Sequence, residues 1–224
     1  MGTVKLYSNL EVKMSKQIVL ACTYHWWRGD DLPELKFLPR FTGRVITDKN
    51  LLASLHNLTE DEIQARFDEE SHCYVAFLDD VPTGYGWVGT KIGRLPGGWV
   101  WTLGEEDRYL WNFVTLPDFR GRGVYPHLLQ AILRAESVAA ERFWIGHEGQ
   151  NVASKRGIEK AGFTLNNLFL LTSEGQIVPQ LQGDPARALA DPMLPVAKAQ
   201  AENMPEVVRQ QLVNEFLQRF EQEG

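Results

Sequence analysis

The stretch that most restricts the fold lies within residues 109–133. Residues 109–115, Tyr-Leu-Trp-Asn-Phe-Val-Thr, are rich in aromatic and β-branched side chains and run up to Pro117, as a strand would. Arg120-Gly121-Arg122-Gly123 follows, and then Leu128, Leu129, Ile132 and Leu133 recur at the spacing of a helix face. A strand that enters a helix through such a turn can act as an anion cradle. Glycines let successive backbone N–H groups approach one ligand, and the helix N-terminus adds partial positive charge. Two other phosphate loops are excluded by spacing: no Gly-Lys-Ser/Thr ends the turn, and no third glycine completes a dinucleotide fingerprint. Taken alone, the turn is equally a tight strand-to-helix connection.

The rest of the chain supplies the surroundings of that unit. Residues 51–70 read as a helix, with Thr59 and Glu62 forming a capping box. Segments 73–78, 84–90 and 99–102 read as an antiparallel meander separated by Asp, Pro and Gly turns. A fifth strand at 142–147 leads to Asn151 as N-cap, a helix through Lys160, a stop at Gly162 and a further strand over 163–172. The first forty residues suggest a short strand at Val4 and Leu6 and then a helix through the apolar run that begins at Ile18. Residues 173–204, rich in Pro, Ala, Gln and Gly, read as a linker. Beyond Pro205, Val208, Leu212, Phe216 and Phe220 recur every four residues and predict an amphipathic helix docked on its own domain or across a homodimer.

Composition narrows the function classes. With 44% hydrophobic and 23% charged residues the 224-residue chain is globular, one domain over 1–172 with residues 173–224 as an extension. A net charge of -6 without a basic block argues against a nucleic-acid partner, because a polyanion rewards clustered Lys and Arg. No apolar segment reaches the ~18–20 residues that span a bilayer, and no signal-peptide pattern opens the chain, so neither membrane insertion nor secretion is expected and the location expected is cytoplasmic. Cys22 and Cys73 stand far apart and outside any metal-ligand spacing, so no metal is expected.

Two blocks together carry a family resemblance. Val114-Thr115-Leu116-Pro117-Asp118-Phe119-Arg120-Gly121-Arg122-Gly123 resembles the signature of the GNAT superfamily of N-acyltransferases. Asn151-Val152-Ala153-Ser154, continuing to Glu159-Lys160-Ala161-Gly162-Phe163, resembles that family's Asn-led helix ending in Gly-Phe. The resemblance implies an α/β fold with a mixed, mostly antiparallel sheet splayed between its fourth and fifth strands and flanked by helices. It implies an enzyme that transfers an acyl group, usually acetyl, from acyl-CoA to a primary amine on a small molecule or peptide in a ternary complex. The CoA diphosphate would meet the loop formed by Arg120, Gly121, Arg122, Gly123, Val124 and Tyr125. The pantetheine arm would run along Phe113, Val114 and Thr115, with Asn151 and Ser154 on its other flank, and the backbone N–H of Phe113 would polarise the thioester carbonyl.

The sequence departs from the family's pattern twice. The last loop position, usually small, is Tyr125, which sets a bulky ring near the diphosphate. The position where many relatives carry a proton-donating tyrosine is Ile158, which has no proton to give. That gap leaves open a second class of reading, a catalytically silent CoA-binding module. For the base, His147 has a suitable pKa range but is more simply a histidine satisfied within the sheet. Glu148 beside it would face the opposite way, and Glu105, Glu106 and Asp107 could meet a cationic amine or form an ordinary solvated turn. His127 reads as a surface residue. The cluster His25, Trp26, Trp27 and Arg28 could line an acceptor site or pack under the sheet.

Overall fold

The computed structural model describes residues 17–56, 58–95, 99–211 and 214. Its strands are β1 (Gln17–Trp27), β2 (Phe41–Val45), β3 (His72–Leu78), β4 (Val81–Gly89), β5 (Ile92–Leu95), β6 (Trp99–Thr102), β7 (Asp107–Thr115), β8 (Arg142–Glu148), β9 (Thr164–Thr172) and β10 (Ile177–Leu181). The helices are α1 (Lys49–His56), α2 (Glu60–Asp68), α3 (Val124–Glu136), α4 (Val152–Ala161), α5 (Pro185–Leu189) and α6 (Met193–Glu202). Eight strands form one sheet in the order β10-β9-β1-β8-β7-β4-β3-β2, while β5 and β6 make a separate hairpin. Every neighbour pair in the large sheet is antiparallel except β7 with β8. This is the mixed, mostly antiparallel α/β sheet flanked by helices that the resemblance implies.

On one face, α3 and α4 bury Leu128, Leu129, Ile132, Leu133, Ile158 and Ala161 against Tyr24, Trp26, Leu110, Phe143 and Ile145. Glu136, in the last turn of α3, pins this layer: it accepts hydrogen bonds from His72 Nδ1 (2.8 Å), Tyr74 Oη (2.8 Å) and Arg108 Nε (3.0 Å). Burial alone would raise its carboxyl, but those bonds outweigh burial and hold its pKa down at about 2. The other face carries two layers. Leu52 of α1 and Ile63 of α2 pack on Val75, Phe77 and Trp87, and Met193, Leu194 and Ala197 of α6 pack on Trp101, Tyr109, Trp144 and Phe169.

Several sequence expectations need correction. Residues 17–27 form a strand, not a helix. β1 lies between β8 and β9, with both faces covered, so its apolar run is continuous instead of alternating and gives no strand period to read. Residues 51–70 are two helices: Thr59 caps the second, accepting from the Glu62 N–H while the Glu62 side chain returns to the Thr59 N–H. Residues 99–102 pair with β5, outside the main sheet. Residues 173–204 are no linker but contain β10, α5 and α6, held by polar anchors. Asp191, 2% exposed, accepts from Thr23 Oγ1 (2.6 Å), Asn166 Nδ2 (3.0 Å) and Asn167 Nδ2 (2.9 Å). Arg187 pairs with both oxygens of Asp30 and lies over the Trp27 ring. Beyond Pro205 residues 206–211 are helical as expected, with Val208 of the C-terminal stripe exposed; Leu212, Phe216 and Phe220 lie outside the described residues, as do Val4 and Leu6. No helix among the described residues is long and apolar enough to cross a membrane.

Candidate active site

The site begins where the one parallel pairing stops. β7 and β8 are in register from Asp107↔Arg142 to Leu110↔Ile145, and beyond that point they part. The cause is local. Tyr85 pairs with Val114 and Trp87 with Trp111, so Asn112 and Phe113 together face the single residue Gly86. Asn112 takes the extra position at φ 53°, a left-handed conformation that asparagine tolerates better than most residues. Such a bulge bends and twists its strand. Gly86 is required by the same feature, because the Phe113 ring lies where a Cβ would sit, 2.0 Å from its ideal position. The parted strands open a cavity of about 870 Å3 that passes through the sheet and is lined from both faces.

On the helix face the cavity is lined by Tyr125 at the start of α3 and by Asn151 and Ser154 at the start of α4, while Arg120, Gly121, Arg122, Gly123 and Val124 of the glycine turn lie outside its lining. A 3-10 turn over Pro117–Phe119 carries the chain from β7 to the turn. Gly121 (φ 73°) and Gly123 (φ 87°) are left-handed, so a side chain at either is strained, and nothing lies within 4 Å of where a Cβ at Gly121 would be. The N–H groups of residues 121–125 donate no hydrogen bond within the described chain. A cradle of backbone donors at the start of a thirteen-residue helix fits a diphosphate. His127 is more than a surface residue: its Nδ1 bonds to the Gly123 carbonyl (2.7 Å) and its ring packs on Phe41, fixing the turn. Arg120 Nε donates to the Thr115 carbonyl (3.1 Å), and Arg122 lies over the Phe119 ring.

Tyr125 does not obstruct the cradle. Its ring turns inward against Phe113 and over Gly157, where a Cβ would come within 2.3 Å of it. Burial raises its phenol pKa, offset in part by a hydrogen bond with Ser154. Asn151 caps α4, its side chain accepting from the Ser154 N–H at 2.9 Å. Phe113, Tyr125, Asn151 and Ser154 all line the cavity, whereas Val114 and Thr115 do not. Ile158 is fully buried in the helix-face core.

His147 and Glu148 both line the cavity but serve different faces. His147 is opposite Cys22 of the helix-face core, and Glu148 is opposite Ala21, which packs on the other face. The His147 Nδ1–H donates to the Glu148 carbonyl (2.7 Å), since a carbonyl can only accept. The Nε2 stands 3.3 Å from the Tyr24 hydroxyl, whose single proton is shared between this contact and Glu159 Oε1 at 3.5 Å. Asp107 is committed to structure: it binds Arg142 through both oxygens, the Trp144 indole and the Gly104 N–H. Glu105 lines a separate shallow pocket with His72 and Arg108. Of the N-terminal cluster, Trp26 packs on Phe143, and His25 and Trp27 pack on Trp144, so none of it lines the cavity.

On the far face the walls are Tyr109, Trp111, Phe169, Ile177 and Met193, with Arg66 from α2 and Arg94 from β5. Sequence reasoning missed Arg66, Arg94 and Trp111, and no local pattern marks them.

A model of the acetyltransferase (GNAT) family matches residues 43–163, more than half of the chain. No curated protein matches the sequence. Among solved structures the chain is similar to a GNAT acetyltransferase from Colwellia psychrerythraea, at 12% identity over 75% of this chain and 60% of that one, with a TM-score of 0.49. It is similar also to a GCN5-related N-acetyltransferase from Kribbella flavida, at 13% identity over 80% and 64%, with a TM-score of 0.47. An aminoglycoside acetyltransferase in complex with coenzyme A and kanamycin matches at 20% identity over 67% and 98%, with a TM-score of 0.46. The chain spans less than two thirds of the length of the first two relatives. With the sequence matched across the glycine turn, the parted strands and the Asn-capped helix, the chain belongs to the GNAT acetyltransferase family.

Proposed function

We propose that this protein transfers an acyl group, most simply acetyl, from acyl-CoA to a primary amine by direct attack, the two substrates entering from opposite faces of the sheet. The observation that carries the reading is the opening between β7 and β8, which leads from Tyr125, the residue that follows the glycine turn into α3, to a side-chain-lined pocket on the other face. In this reading the diphosphate sits on the N–H groups of residues 121–125 and the pantetheine passes between the strands, flanked by Phe113, Tyr125, Asn151 and Ser154. The Phe113 N–H serves the developing oxyanion.

The amine nitrogen attacks the thioester carbonyl carbon, the C–N bond forms, the C–S bond breaks, and the amine loses one proton while the thiolate gains one. Holding both reactants in place can supply ~7–11 kcal/mol of the barrier, so few side chains are needed. Two groups are within the cavity for the amine proton, and strand alternation separates them. His147 turns to the helix face and engages Tyr24, whereas Glu148 faces the pocket the amine would occupy; we therefore assign the proton acceptor to Glu148. The hydroxyl missing at Ile158 has a neighbour in Tyr125, whose ring fills the space above Gly157 on the same helix. A thiol with pKa near 8.5 is a fair leaving group at neutral pH even without a strong acid beside it.

Incubating the protein with acetyl-CoA and a panel of amines, with free thiol as the readout, tests the reading. Amine-dependent thiol release, lowered in Glu148→Gln by a factor that grows as pH falls, is the expected result. Tight CoA binding without amine-dependent release at any pH would leave a binding module in place of an enzyme.

A further inference from the structure

The pocket that would receive the amine is built around two guanidinium groups. Arg66 of α2 lies over two neighbouring indoles, 4.8 Å from the Trp87 ring centre and 4.6 Å from that of Trp111. Its Nη1 is buried and has no hydrogen-bond partner. Arg94 of β5 lies over the same Trp111 ring at 5.7 Å and lines the same cavity. Among the described residues one carboxylate is ion-paired with either of them, Glu69, which binds Arg94 and is about one third exposed, as Arg94 is. Glu62, one turn before Arg66, is turned to Thr59 by the capping box. Two neighbouring cations with a single paired anion are out of place in a protein whose net charge is -6.

Packing alone does not account for Arg66. Stacking on indoles recovers part of the loss when a guanidinium leaves water, but a buried charge needs an anion and hydrogen-bond acceptors to balance it. Burial, with the repulsion of Arg94 added, draws the Arg66 pKa down, the response of a cation short of partners. A planar guanidinium packed against two indole rings has its orientation restricted, and its N–H fork can recognise carboxylate and phosphate oxygens in pairs. The same pocket would repel a polycation. On this face Glu148 stands at the opening between the strands, so the pocket offers a cationic end and, separately, an acidic group where the amine must lie.

We propose, building on the acyltransferase reading, that the acceptor is an amine that also carries an anionic group, a carboxylate or a phosphate, held by Arg66 and Arg94 beside Trp111. The anion completes the Arg66 hydrogen bonds, Arg94 shares its charge with Glu69 and contributes less, and the amine points through the opening toward the thioester.

Matched amines test this with acetyl-CoA as the donor: leucine against leucinamide, phosphoethanolamine against ethanolamine, and spermidine as a polycation. CoA binding is measured by calorimetry alongside. The expected result is a kcat/KM at least tenfold higher for one anionic member than for its neutral match, carried mainly by KM; the pair that shows it identifies carboxylate or phosphate. In Arg66→Gln that preference falls to within about threefold while CoA affinity and melting temperature hold, and Arg66→Lys restores part of it. Equal or better turnover of the neutral amines or of spermidine, with CoA binding intact, overturns the anionic acceptor and leaves the acyltransferase standing. Absence of both CoA binding and thiol release overturns the two together.

Discussion

The glycine cradle beside the cavity and the pocket at the cavity's far end are built on different principles. The cradle is made of backbone: N–H groups on a turn of left-handed glycines, closed by a histidine from the helix it starts. The far end is made of side chains from α2, β5, β7, β9, β10 and α6, segments spread from Arg66 to Met193. A backbone site needs only one contiguous stretch with the right conformation. A side-chain site needs the whole fold to converge. In this account the first holds the part of the donor common to every reaction of the family, and the second distinguishes one amine from another.

The strongest way to break that comparison is truncation after Thr172. Removing β10, α5 and α6 uncovers Trp101, Tyr109, Trp144 and Phe169, a loss of several kcal/mol at ~25 cal/mol per Å2 of apolar surface. The shortened protein should melt at a clearly lower temperature or aggregate. Unchanged stability in thermal unfolding would mean the far wall is not part of the domain.

The helix-face end rests on Glu136, whose carboxyl is held down at about 2 from an ordinary 4.5. A depressed carboxyl stabilises the fold fully above its unfolded pKa and loses that contribution as pH falls through the folded value. Between pH 4.5 and pH 2 the protein should therefore lose about 3 kcal/mol from this group, at about 1.4 kcal/mol per pKa unit. Chemical unfolding of wild type and Glu136→Gln across that range should converge toward the acid end; parallel curves would contradict the assignment.

Gly123→Val forces a β-branched residue into a left-handed backbone at the cradle. CoA affinity should fall at least tenfold, about 1.4 kcal/mol, in calorimetry of a folded variant. At the small end, Ile158→Val trims the buried helix-face core and should lower stability by about 0.5–1.5 kcal/mol without changing kcat. A drop in kcat would give Ile158 a place in the chemistry that its burial does not suggest.

The same contrast explains what could be read from the sequence. The turn from Arg120 to Gly123 and the helix from Asn151 to Gly162 were legible because each is one contiguous stretch with local rules: glycine for positive φ, asparagine for a cap. β1 was misread because a strand buried on both faces shows no alternation. The segment holding α5 and α6 was misread because its anchors are polar, Asp191 and Arg187 reaching Thr23, Asn166, Asn167 and Asp30, instead of an apolar stripe. Arg66 and Arg94 look like ordinary surface charges in the sequence. Only the convergence of α2 and β5 on Trp111 gives them a role, and only the turn of the Tyr125 ring onto Gly157 shows that a phenol hydroxyl reaches Ser154 on α4.

The most direct test is a crystal structure of the protein with CoA. The account predicts the diphosphate within hydrogen-bonding distance of the N–H groups of residues 121–125, with the thiol between β7 and β8 beyond Leu110 and Ile145. A CoA bound with its diphosphate away from Gly121 and Gly123, or with its thiol outside the opening between those strands, would contradict it.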